Sequence, residues 1–107
     1  MDEINEYLKK HYKYQTIRGR KYPELTKRIV CKDGFEISVQ ASSGHYCEPR
    51  ENEAWPYISV ELGYPNSMDN LIQQYAEDPD TKDTVFGYVP IVVVNKLIEG
   101  HGGLFKD

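Results

Sequence analysis

Apolar and polar positions change period several times along this chain, and each change marks an element. Ile4, Tyr7, Leu8 and Tyr12 fall at i, i+3, i+4 and i+8, an apolar stripe that predicts a helix over residues 2–14 docked by one face. Asp2, Glu3 and Glu6 near its start and Lys9, Lys10 and Lys13 near its end complement the helix dipole. The period then shortens to two. Thr26–Lys32 and Phe35–Ala41 read as strands joined by Asp33-Gly34, a pair that favours a two-residue type I′ turn. Such a turn sets Lys32 opposite Phe35, Val30 opposite Ile37 and Arg28 opposite Val39. Val30, Phe35, Ile37 and Val39 then face the core, while Ile29, Cys31, Glu36, Ser38 and Gln40 face away. Trp55–Gly63 predicts a third strand with Ile58, Val60 and Leu62 inward and Tyr57, Ser59 and Glu61 outward.

The second half repeats the logic. Pro65-Asn66-Ser67 makes a turn and cap for a short amphipathic helix carrying Met68, Leu71, Ile72 and Tyr75. Thr84–Val89 is a fourth strand. Pro90 opens a last helix with Ile91, Val94, Leu97 and Ile98 as its buried stripe, and Gly100, Gly102 and Gly103 end it. His101 falls in that cap, where a partly charged imidazole is favourable. The expected fold is α+β, a small antiparallel sheet of about four strands with helices packed on one face.

Length and charge refine this picture. At 107 residues there is room for one core, so the chain reads as a single domain: the helix 2–14, a basic loop 15–25 broken by Gly19 and Pro23, and a sheet-and-helix body 26–103. No apolar run approaches the roughly 18 residues of a membrane span. The acidic, amphipathic start is not a secretory signal, and two cysteines outside any CxxC pattern fit a reduced, cytoplasmic setting. The net charge of −4 is segregated: residues 9–32 hold nine Lys or Arg and one acid, giving +8, and the remainder carries −12. Arg18, Arg20 and Lys21 interleave with Tyr14 and Tyr22, a mixture that can grip phosphate and stack on a base or simply be a solvated basic loop.

Candidate chemistry concentrates after the second strand, in DGFEISVQASSGHYCEPR, residues 33–50. Ser42, Ser43, His45 and Arg50 suit an anion-binding loop, with Gly44 opening a backbone nest and Ser38 and Gln40 leading into it. Tyr46 and Tyr57 can stack on a base. Arg50 has a plainer option, an ion pair with Glu48, Glu51 or Glu53. Were the loop catalytic, His45 and Cys47 would be its base and nucleophile, but residues two apart on an extended stretch point the same way rather than at each other. His45 with Cys47 also lacks a second paired motif for zinc. The acidic loop EDPDTKD, residues 77–83, lacks the glycine and closing glutamate of an EF-hand. No metal and no cofactor is expected.

The same stretch, followed by YISVELGYP, YAEDPD, TVFGYVP and HGG, resembles a group of small proteins carried by bacteriophages and prophages of Gram-positive bacteria. The likeness spans roughly residues 30–103 and leaves out the N-terminal helix and basic segment. It implies a phage accessory protein made in the host cytoplasm that antagonises host defence. Two routes fit. One sequesters a nucleotide-derived immune signal, of the cyclic dinucleotide or cyclic ADP-ribose type, in a site shared by a homodimer. The other inhibits a defence nuclease by presenting Glu48, Glu51, Glu53, Glu61 and the 77–83 loop as an acidic nucleic-acid mimic. A small nucleotide hydrolase using His45 and a virion structural protein are the remaining alternatives.

Overall fold

The computed structural model describes residues 1–105. Its elements run α1 (Glu3–Lys10), β1 (Tyr14–Ile17), β2 (Arg20–Pro23), β3 (Ile29–Val30), β4 (Glu36–Gln40), β5 (Ser59–Gly63), β6 (Val85–Pro90) and α2 (Ile91–Gly100). The fold is α+β, as the periodicity predicts. Strands β3-β4-β5-β6 form one antiparallel sheet in that order, and β1 and β2 form a separate two-stranded ribbon.

Helix α1 is shorter than the apolar stripe implies: it ends at Lys10, with His11 as its C-cap donating to Tyr7 C=O, and its start is fixed by Asp2. The Asp2 carboxylate accepts from the Asn5 backbone N–H at 3.0 Å and from the Asn5 side chain at 2.8 Å. These hydrogen bonds hold the Asp2 pKa below the usual carboxylate range despite the opposing effect of burial. Asn5 is fully buried, and its amide exchanges two hydrogen bonds with the backbone of Tyr57, at 2.6 and 2.9 Å. A buried polar group satisfied in this way fixes where α1 lies on the sheet. Ile4, Tyr7 and Leu8 from α1, Val94, Leu97 and Ile98 from α2, and Ile37, Val39, Val60, Leu62, Phe86 and Val89 from the sheet build one core.

The first hairpin of the large sheet departs from the expected register. Ile29 pairs with Ile37 and Val30 with Glu36, and Gly34 N–H donates to Cys31 C=O across a three-residue loop. Gly34 has φ +93°, and Asp33 accepts from Phe35 N–H at 2.9 Å. The turn is therefore a type I turn closed by a left-handed glycine, not a two-residue type I′ turn. A one-residue slip turns every side chain of that strand over. Ile29 and Cys31 are buried, and Val30 faces out.

Other boundaries shift for tertiary reasons. Tyr57 is buried and Ile58 is 67% exposed, reversing the expected alternation ahead of β5, and an irregularity between Val60 and Leu62 interrupts the pairing with β6. The expected helix over 67–75 contracts to one 3-10 turn, Gln73–Tyr75. The residues beyond it run along β6 instead, with Ala76 bridged to Phe86 and Glu77 N–H donating to Val85 C=O. The opposite edge is also covered, since Cys31 bridges Leu104 and Phe105 N–H donates to Val30 C=O. Both covers protect the sheet from edge-to-edge pairing.

The expected basic loop 15–25 is the largest correction. Residues 14–23 form an antiparallel ribbon with Ile17 opposite Arg20, Thr16 opposite Lys21 and Gln15 opposite Tyr22. Arg18 and Gly19, at φ +50° and +78°, make the type I′ turn that the Asp-Gly pair does not.

Candidate functional site

The loop between β4 and β5 leaves the sheet and crosses back over it. Tyr46 N–H donates to a Glu61 carboxylate oxygen at 3.1 Å, and Tyr46 C=O accepts from Tyr88 N–H at 3.0 Å. Glu48 exchanges backbone hydrogen bonds with Ile58 and Ser59 and accepts from the Ser59 hydroxyl at 3.1 Å. The crossing is close at Gly87, where a Cβ would lie 3.3 Å from Tyr46 Cβ and push the loop outward by a few tenths of an ångström.

The predicted site residues divide into two groups. Gln40, Tyr57 and Ser38 serve the fold. The Gln40 carboxamide is buried, accepts from Thr26 N–H at 2.8 Å and donates to Thr26 C=O and Ser38 Oγ at 3.0 Å each. Tyr57 OH donates to Glu51 C=O at 2.6 Å and accepts from Ala54 N–H at 3.1 Å. Its ring is therefore not available to stack on a ligand. Cys47 is also fully engaged, with a buried thiol 3.3 Å from Ser42 C=O and 3.5 Å from Pro49 C=O. Burial pushes the thiols of Cys47 and Cys31 up, Cys31 to about 11, so neither is a ready thiolate nucleophile. His45 and Cys47 form no hydrogen-bonded side-chain pair.

The second group comes together on the outer face. Ser42 Oγ accepts from Gly44 N–H at 3.1 Å and sits 2.6 Å from His45 Nδ1. Burial lowers the His45 pKa, and the nearby Arg50 acts in the same direction against the opposing carboxylate of Glu61. His45 is then neutral at pH 7; in the tautomer in which Ser42 donates to Nδ1, the imidazole proton lies on Nε2. Ser43 N–H donates to the Asn52 side chain at 2.9 Å, which leaves its hydroxyl exposed. The Arg50 guanidinium stands 5.2 Å from the centre of the Tyr46 ring, inside cation–π range. Tyr46 in turn lies 5.8 Å from the ring of Tyr88, a residue held at φ +52°.

Tyr88 is the residue that sequence reasoning missed. It sits in the stretch whose periodicity predicts only a fourth strand, and Gly87 beside it is the signal in the sequence. Tyr46, Glu77, Val85, Gly87 and Tyr88 line an open, largely apolar cleft of about 250 Å³. Pockets for drug-sized ligands span roughly 300–1,000 Å³, so this one suits a single base-sized ring rather than a whole dinucleotide.

A separate cluster joins the Asp33 turn to the end of α2. His101 Nδ1 lies 2.6 Å from Asp33 and Nε2 lies 2.9 Å from Asp69, while the ring stacks on Phe35 at 3.9 Å between centres. Burial opposes charging this imidazole, but the two carboxylates outweigh it and raise the pKa. Hydrogen bonds from Phe35 N–H and His101 hold Asp33 low. With both ring nitrogens occupied, His101 is a clamp and not a proton shuttle.

Among the described residues no group of three or more His, Cys, Asp or Glu is placed to hold a metal ion, and no helix is long and apolar enough to cross a membrane. The chain matches no protein-family model, no curated protein and no solved structure.

Proposed function

We propose that this is a phage-type accessory protein that binds a nucleotide-derived immune signal and sequesters it without turnover. The observation that carries the reading is the Arg50 guanidinium over the ring of Tyr46, the same residue that lines the cleft with Tyr88 and Gly87. A planar ring laid in that cleft gains aromatic contact and sheds water, and a phosphate beside Arg50 gains a bidentate cation. Ser43 and the His45 Nε2–H supply further donors to an anion. Glu77 at the cleft accepts from an exocyclic amine. The cleft volume limits one chain to one ring, so a cyclic dinucleotide is shared by two copies related by a twofold axis.

The test is thermal unfolding of the chain against mononucleotides, cyclic dinucleotides and cyclic ADP-ribose isomers, with bound material released by heat and weighed. A ligand at 100 times its Kd stabilises the fold by about 2.7 kcal/mol, a shift of roughly 10 °C for a domain of this size. Arg50→Ala abolishes that shift, and Tyr57→Phe alters stability but not the ligand bound. No shift with any member of the panel would sink the reading.

Hydrolysis has one observation in its favour: Ser42 Oγ and neutral His45 Nδ1 at 2.6 Å make a nucleophile–base pair. Ser42 is only 8% exposed, which favours a structural turn. Recovery of altered ligand, lost in Ser42→Ala, would establish the enzyme instead. The acidic-mimic route has less support. Glu48, Glu53 and Glu61 are engaged with Ser59, with Lys21 and Tyr12, and with Tyr46 N–H, which leaves exposed Glu51 and the 77–83 loop as its main surface.

A further inference from the structure

The ribbon β1–β2 has two unlike faces. Tyr14, Thr16, Lys21 and Pro23 share the first, which is tied to the body. Lys21 Nζ lies 4.3 Å from the Tyr14 ring centre and 3.2 Å from Glu53, and Glu53 also accepts from Tyr12 OH at 3.1 Å. The Tyr12 ring meets Trp55 edge-on at 5.3 Å. Gln15, Ile17, Arg20 and Tyr22 share the second face, and all four are exposed. Among the described residues, the side chains of Gln15, Arg18 and Arg20 make no hydrogen bond or ion pair. The chain thus holds one face of a basic ribbon and presents the other.

From this face we propose that residues 14–23 are a DNA-reading arm that lies in the major groove of a B-form duplex. The dimensions agree. Each strand of four residues extends about 13 Å, and the groove is about 12 Å wide and admits a two-stranded ribbon. Side chains at i and i+2 are about 6.8 Å apart, the rise of two base steps, so Gln15 and Ile17 address bases two apart. The residue types agree as well: Gln pairs bidentately with adenine, Arg with guanine, and an aliphatic side chain packs on the thymine methyl. Arg18 at the tip and Lys13 at the root are placed for phosphates. A type I′ turn prefers Asn, Asp or Gly at its first position, so Arg18 at φ +50° is strained without an intramolecular contact to offset it. An acidic peptide would also be attracted to these charges, but it gives no use to alternating Gln and Arg at base-step spacing.

The arm is independent of the cleft site, and one experiment separates them. The intact chain is titrated into a fluorescent, mixed-sequence DNA duplex at several salt concentrations. Two to three phosphate contacts predict a log–log salt slope of about −2 to −3, a roughly 10- to 40-fold weakening between 50 and 200 mM salt. Arg18→Asn with Arg20→Gln weakens duplex binding by at least about tenfold while leaving the folded state intact, since neither guanidinium has a partner to lose. Arg18→Asn alone relaxes the turn and still loses affinity, a pairing of effects that a purely structural arginine would not give. Arg50→Ala leaves duplex binding unchanged. Three results would each overturn the proposal: no duplex binding at 50 mM salt, equal binding by the arm variants, or competition by polyglutamate as effective as by DNA at equal charge.

Discussion

Two antiparallel hairpins of similar length sit in this chain, and they are stabilised by different physics. The hairpin of β3 and β4 buries Ile29, Cys31, Phe35, Ile37 and Val39. It is clamped at its turn by His101 and covered on its outer edge by residues 103–105. The ribbon of β1 and β2 has seven of its eight strand residues exposed. It keeps its shape through its turn, cross-strand neighbours and an exposed Lys21–Glu53 pair, a kind of contact worth at most about 1 kcal/mol. Burial dictates the register of the first, and turn geometry dictates that of the second.

Breaking the first hairpin should cost most. Ile37→Ala removes a fully buried side chain opposite Ile29 and should lower unfolding free energy by about 2–5 kcal/mol in denaturant titration. Gln40→Ala comes next. It leaves both backbone groups of Thr26 without their partner at the junction between the hairpins, for a loss of about 1–3 kcal/mol.

The His101 clamp adds a pH dependence that belongs to the first hairpin alone. Its folded pKa is raised, so its contribution is complete below the ordinary imidazole value of about 6.5 and is lost as pH rises through the higher folded value. The lowered pKa of Asp33 sets the acid limit. That contribution is present above the ordinary carboxylate value of about 3.9 and is lost as pH falls through the folded value. The melting temperature should therefore fall from pH 7 to pH 8, above the range in which His45 acts in the opposite sense and below that of the buried thiols, and His101→Gln should flatten that slope.

The ribbon should respond to the opposite kind of change. Gly19→Ala, at φ +78°, strains the turn by about 1–2 kcal/mol and should speed amide exchange within residues 14–23. The global denaturation midpoint should hardly move. Arg20→Gln should change stability least, within about 0.5 kcal/mol, because its exposed side chain makes no hydrogen bond or ion pair among the described residues. Equal global effects from Gly19→Ala and Ile37→Ala would erase the contrast between the hairpins.

Much of the candidate loop was legible from residue types, but residue types do not reveal prior engagement. Gln40, Tyr57 and Cys47 look like ligand or reaction groups in the sequence and are consumed by backbone atoms brought from residues 26, 51 and 42. Tyr88 looked like an ordinary strand residue and became part of the cleft because Tyr46 crosses Gly87.

By itself the sequence determined the α+β class, the four strand regions of the main sheet, the C-terminal helix and the segregation of charge. These depend on local period and composition, which any window of the chain carries. Tertiary structure alone decided two things: that β3 turns Ile29 and Cys31 inward, and that 68–72 give up their helix while Ala76 and Glu77 follow β6. Each is a competition between local preferences of about 1 kcal/mol and the burial of whole side chains at about 1.5–3 kcal/mol each. Where burial was on offer it overrode the Asp-Gly turn. Where it was not, the turn at Arg18-Gly19 was left to set the structure.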